Sequence, residues 1–226
     1  DLPVGAMMVR SGPVQASADD FEITVQGVGG HGAAPHQTVD AIAIGAAIVG
    51  ELHRIVSREV DPLDSAVVTV GSFHGGTRHN IIAARATLVG TIRALNPETR
   101  TLLHRRIGEI ARGVAEAARA TADVTINLGY PVTINDESMA AFARTVAQTI
   151  VAPANVLEGR PIMGSEDMSH FLNAAPGCFV FVGSGNEARN LHHPHHSPRF
   201  DFDEASLPIG VELLTQLALG YLTREG

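Results

Sequence analysis

Between Phe21 and Leu128 the spacing of apolar residues switches repeatedly between a period of two and a period near 3.6, and that order leaves few folds open. Phe21, Ile23 and Val25 alternate with Glu22, Thr24 and Gln26, as in a half-buried strand. Val39, Ile42, Ala46, Val49, Leu52 and Val56 then recur at three- and four-residue steps, one face of a helix. Asp61-Pro62 breaks that pattern. Two strand-like segments follow, the β-branched run Ala66 to Val70 and the segment Ala86 to Arg93. Pro97 opens a second helix carrying Leu103, Ile107, Ile110, Val114 and Ala117 on one side. Val124, Ile126 and Leu128 alternate again. The order is βαββαβ. Two helices laid on one face of a four-stranded antiparallel sheet bury these stripes most economically, a ferredoxin-like layer.

The flanking sequence reads differently. Met139, Phe142, Val146 and Ile150 predict a helix capped by Asn135 or Asp136. Cys178 to Val182 is a continuous apolar run, suited to a strand buried on both faces. Leu207, Val211, Leu214, Ala218 and Tyr221 mark a last helix, with Pro208 tolerated in its first turn. These pieces hold too few strands for a complete doubly wound sheet. The expected organisation is therefore α/β, with 17–129 as a compact insert between 1–16 and 130–226, two fragments of a larger domain.

Composition removes some functions. A formal charge of −8 offers no basic field for phosphates, so a nucleic-acid partner is not expected. The run Ala41 to Gly50 is too short to span a bilayer, so no membrane partner is expected either. Cys178 is the one cysteine, which rules out an internal disulfide and fits a cytoplasmic location. Asp1-Leu2-Pro3-Val4-Gly5 reads neither as a signal peptide nor as a natural start.

Four stretches carry candidate chemistry. His192, His193, His195 and His196 crowd into Leu191 to Asp203, and neutral imidazole is a common ligand for zinc. Spacing alone does not choose among them, and a solvated polar loop is the competing reading. Gly29-Gly30-His31-Gly32 sits between the first strand and first helix of the insert, where glycines allow a ligand close to the backbone. A turn with an incidental exposed His competes with that. Thr77 to Ile82 offers Asn80 as a donor to a developing oxyanion. Arg93, ending Gly90-Thr91-Ile92-Arg93, offers a planar fork for a carboxylate. Met163 to Ser169 pairs Glu166 and Asp167 after Gly164-Ser165, and helix capping by Ser165 or Asp167 is the plain reading there.

Taken in order, Leu2-Pro3-Val4-Gly5, Gly12-Pro13, Gly27 to Pro35, Asn80-Ile81-Ile82, Gly90 to Arg93, Gly164 to Asp167, Pro176-Gly177 and His196 to Asp201 resemble the aminoacylase, hippurate hydrolase and auxin-conjugate (IAA-amino acid) hydrolase family of two-metal, peptidase-like amidohydrolases. The resemblance implies a ferredoxin-like lid that also makes a homodimer contact, inserted in part of a zinc-peptidase-like α/β catalytic domain. It implies a metal ligand at His196, with His195 as the alternative register. His31 matches a lid histidine that reaches the partner subunit's site and polarises the scissile carbonyl. The resemblance also implies that Asn80 lies near the substrate, that Arg93 holds the α-carboxylate, and that Glu166 is a substrate-site acid near the metals. The implied reaction is hydrolysis of an N-acyl amino acid by water activated between two divalent ions, zinc, manganese or cobalt.

The family's earlier metal-binding segments, with the bridging aspartate and the general base, have no counterpart in the 226 residues. The metal site is then incomplete, and the isolated chain is expected to show no amidase activity, as a truncation or an inactive descendant. It is also expected to expose apolar surface around the α/β fragment. The competing function is an amino-acid-binding or dimerisation module without catalysis.

Overall fold

A computed structural model describes residues 2–223. The chain divides into two compact units. One holds the residues up to Val14, Thr133–Pro161 and those from Met168 on, and the other holds Gln15–Val132 with Ile162–Asp167. In chain order the early elements are β1 (Met7–Met8), β2 (Gly12–Gln15), β3 (Ala18–Gln26), β4 (Gly30–His31) and α1 (Ala41–Arg58). Then come β5 (Ala66–Gly75), β6 (Ile81–Ile82), β7 (Arg85–Ala94), α2 (Pro97–Ala117) and β8 (Thr121–Tyr130). The last are β9 (Thr133–Asn135), α3 (Glu137–Ile150), β10 (Val156–Leu157), α4 (Met168–Ala174), β11 (Phe181–Val182) and α5 (Ser206–Leu222).

The insert is the ferredoxin-like layer its periods imply. Its sheet runs β5-β7-β3-β8, every neighbour antiparallel, so the first and third strands of the insert lie inside and the second and fourth form the edges. The helices start where the sequence supplies caps. Asp40 accepts from the N–H groups of Ile42 and Ala43, and Asn96 accepts from Glu98 just before Pro97. On the covered face Phe21, Ile23 and Val25 of β3 and Leu88 and Ile92 of β7 pack with α1 and α2 in one buried cluster. Phe21 owes its place to Gly90 opposite, where any Cβ would sit 2.3 Å from its ring.

One detail of the expected packing is corrected. The stripe read from Val39 to Val56 is only partly the buried face of α1: Leu52 goes inside with Ala41, Ile44, Ile48 and Ile55, Val49 and Val56 pack at the margin of that cluster, and Ile42 stays 39% exposed. The helix carries apolar residues on most sides, so periodicity alone does not choose the face. On α2 the expected Leu103 and Ile107 are buried, joined by Ala111 and Ala115.

The other unit has a three-stranded sheet, β10-β1-β11, built from strands of two residues, and β2 pairs with β9. Its core is small and alanine-rich: Met7, Val9, Ala140, Ala143, Ala147, Val156 and Leu213. Of the two caps offered for α3, Asp136 fills the role, accepting from Met139. Cys178 to Val182 does not form the fully buried strand that its composition suggested; only Phe181–Val182 is strand, and both residues are half-buried. Continuous apolarity is a signal for burial only when a neighbouring layer covers both faces.

Candidate functional site

His31, Asn80, Arg93 and Glu166 all belong to the second unit, and His196 belongs to the first. Within the second unit, His31 and Asn80 are brought together by a small β4–β6 ladder that pairs Gly30 with Ile82 and His31 with Ile81. Gly32 donates its N–H to the Asn80 carbonyl at 2.9 Å. A Cβ on Gly32 would lie 3.0 Å from that oxygen, so the close approach depends on glycine. Both His31 and Asn80 are exposed.

The loop also fixes the chemistry of His31. The Ala33 N–H donates to Nδ1 of His31 at 3.0 Å. A backbone amide can only donate, so Nδ1 is the bare nitrogen and the neutral ring carries its proton on Nε2. The exposed edge of the imidazole is therefore a hydrogen-bond donor, suited to polarising a carbonyl.

Arg93 lies at the other end of the same sheet. It sits opposite Val67 on β7, whereas the His31 hairpin continues from the Gln26–Arg85 end of β3 and β7. The eight residue steps from Arg85 to Arg93 span about 26 Å at the usual strand rise. In a single chain these groups do not converge. Arg93 is half-buried, and its NH1 donates to Ser165 Oγ at 3.1 Å, with no acidic partner among the described residues. Glu166 follows directly in the same segment and is half-buried; its Oε1 accepts from the Asp167 N–H at 3.1 Å. α4 begins at Met168, and three residues before it Ser165 turns its hydroxyl to Arg93.

Asp19, on the covered side of the sheet, forms a buried polar cluster and was not singled out by the sequence. Its carboxylate takes Arg100 through Nε and NH2 at 2.7 and 2.6 Å, His104 Nε2 at 2.7 Å and the Gly129 N–H at 2.9 Å. Burial opposes its ionisation, but the hydrogen bonds from Arg100, Gly129 and His104 outweigh it and hold the carboxyl below its ordinary value. The alternation in β3 would have placed Asp19 on the covered face; only its partners, more than eighty residues on, were beyond reach of the pattern.

In the first unit, His196 adopts a left-handed backbone, φ 67°, and is exposed. The ring of His195 packs edge-on against Phe200 at 4.7 Å, and those of His192 and His193 lie 5.0 Å apart. The loop is tied down by Asp203, whose carboxylate takes Asn186 Nδ2 at 2.6 Å and Arg189 NH1 at 2.9 Å. Those bonds and that from the Ala205 N–H lower its pKa.

Known proteins share this architecture. Residues 15–119 match the peptidase dimerisation domain. Over 225 residues, 98% of this chain and 51% of its own length, an IAA-amino acid hydrolase of Arabidopsis thaliana is 37% identical. A crystal structure from methicillin-resistant Staphylococcus aureus superposes with a TM-score of 0.91 at 31% identity, covering 98% of this chain and 57% of that one. A dinuclear metal-binding peptidase of the M20 family from Bacillus subtilis gives 0.80 at 27% identity, covering 100% and 55%. The chain carries the M20 peptidase dimerisation domain and is similar along its whole length to hydrolases of that kind. It spans about half the length of the relatives it matches.

A dinuclear M20 centre needs several carboxylate and imidazole ligands gathered around its ions. Among the described residues, no group of three or more His, Cys, Asp or Glu side chains lies close enough to hold a metal ion. The residues of this chain offer one candidate ligand, His196, and do not fit a two-metal site by themselves. No helix among the described residues is long and apolar enough to cross a membrane.

Proposed function

We propose that this chain is the lid-bearing portion of an amidohydrolase that cleaves N-acyl amino acids, and that its lid supplies substrate contacts across a homodimer. The observation that carries the reading is the placement of His31 and Asn80 at one end of the sheet and Arg93 at the other. A two-fold interface converts that separation into proximity.

β5 is the candidate interface. It is an edge strand of ten residues without Asp, Glu, Lys or Arg, a form that invites pairing with another strand. Antiparallel self-pairing about the middle of β5 sets the Gly75 end of the partner's strand beside Ala66 and Val67, and Val67 is the neighbour of Arg93. The partner's loop after Gly75, which leads into Asn80 and the clasped His31, then approaches Arg93.

The chemistry is consistent with an N-acyl amino acid. A guanidinium held by a hydroxyl and not by a carboxylate suits an α-carboxylate. The Nε2–H of His31 and the Asn80 amide are donors suited to the carbonyl oxygen of the scissile amide as it gains charge. Glu166 borders the carboxylate end and contributes to substrate selection. His196 is the metal ligand that this chain offers, since the ring of the alternative, His195, is engaged by Phe200.

Copies carrying Asn80→Cys and copies carrying Val67→Cys, both with Cys178→Ser, test the arrangement when mixed. A short bifunctional maleimide should link unlike copies. Failure to link them in a mixture shown to be dimeric would contradict the shared site. The self-sufficient core of the insert keeps a second reading in view, an amino-acid-binding module without catalysis. Calorimetry with free amino acids separates the two, since tight binding with no effect of acylation would favour the module.

A further inference from the structure

We infer that Ser165 is the positioning residue of the Arg93 guanidinium, held there by a strap, residues 162–167, that leaves the first unit only to join the second. The inference rests on the reading of Arg93 as the carboxylate-holding group and says how that group is kept ready.

Two arginines near the same end of the sheet make the contrast. Arg100 spends Nε and NH2 on the buried carboxylate of Asp19, which neutralises it and leaves no fork to offer. Arg93 is held by a neutral hydroxyl through one nitrogen. A guanidinium has five N–H donors in one plane, so a single bond to a hydroxyl restrains the plane while leaving charge and most donors for a ligand.

Both sides of that bond are anchored at the same place. Ala16 donates its N–H to the carbonyls of Ile162 and Gly164 at 3.1 and 2.8 Å, and Gln15 bridges Ile162 in parallel. The next residue, Ser17, grips Ala94, the neighbour of Arg93. Its N–H donates to the Ala94 carbonyl at 2.8 Å, and its Oγ accepts from the Ala94 N–H at 3.2 Å. Ala16 and Ser17 thus hold the strap with one residue and the Arg93 strand with the other. Buried, doubly anchored backbone of this kind fixes a side-chain pair better than a free loop does.

The test is side-chain 15N NMR of arginine in the whole chain, comparing the parent with Ser165→Ala and Ser165→Thr. Ser165 should slow rotation of the Arg93 guanidinium, giving resolved Nη signals that collapse in Ser165→Ala and return in Ser165→Thr, with backbone amide spectra of the sheet unchanged. Hippurate, as a carboxylate probe, should shift the Arg93 signals and bind about fivefold more weakly to Ser165→Ala, the effect of one lost hydrogen bond. Unchanged Nη exchange in Ser165→Ala would overturn the inference. Signals that respond to Ser165 but not to hippurate would instead support the positioning role and sink the carboxylate reading of Arg93.

Discussion

The two units share one chain and similar apolar content, yet only one of them closes a core around its helices. In the insert, α1 and α2 turn Ile48, Leu52, Ile55, Leu103 and Ile107 onto a sheet that buries all of them completely. In the other unit, α5 carries Leu207, Val211 and Leu214 at 55–71% exposure and buries Ser206 and Leu213. A hydrophobic stripe stabilises a helix only where the chain also supplies the surface that covers it. The insert has that surface. Its neighbour has strands of two to four residues and a small core in which three of the seven buried side chains are alanine.

The largest effect that sharpens this contrast is Phe21→Ala. It should destabilise the insert by about 3–5 kcal/mol, whereas Leu214→Ala on exposed α5 should stay within about 0.5 kcal/mol. Urea unfolding followed by a probe in each unit measures both, and equal losses would erase the distinction.

Next is Asp19→Asn, which leaves Arg100 without its counter-charge and should cost about 3 kcal/mol. The acid limb follows the same group. Its folded pKa is below the ordinary 3.8, so its contribution is fully present above pH 4 and is lost as pH falls through the folded value. Acid unfolding of the parent should therefore be steeper at low pH than that of Asp19→Asn.

A smaller effect bears on assembly. Val67→Lys with His74→Lys puts like charges opposite each other across a β5 self-paired about its middle and should weaken the dimer at least about tenfold, read by light scattering across a dilution series. Smallest of all, His196→Ala should leave the dimer unchanged, because His196 lies outside the insert. Its effect is confined to metal affinity.

The insert was legible because each of its segments announces its own period and its partners lie within the same hundred residues. Gly27 to Pro35 read as a loop, yet Gly30 and His31 pair with Ile81 and Ile82. A two-residue ladder has no period to detect. The face of α1 was only partly legible, with Leu52 inside and Ile42 out, because apolar residues surround the helix. The types of the site residues were visible, and their geometry was not: nothing local places Arg93 about 26 Å of strand from the His31 end, or puts Ser165 on Arg93 across 72 positions of sequence. Ser165 looked like a helix cap, since hydroxyls before a helix usually are.

Pairing through β5 is the proposition on which the shared site depends, and distances between spin labels on identical copies test it directly. In a Cys178→Ser background, labels at Thr69→Cys on β5 should lie within about 20 Å of each other, and labels at Asp123→Cys on β8 more than about 35 Å apart, since the width of two four-stranded sheets joined edge to edge is the lower limit. Short distances at Asp123 with long ones at Thr69 would show pairing through the opposite edge, and would contradict a site assembled from Arg93 of one copy and His31 with Asn80 of the other.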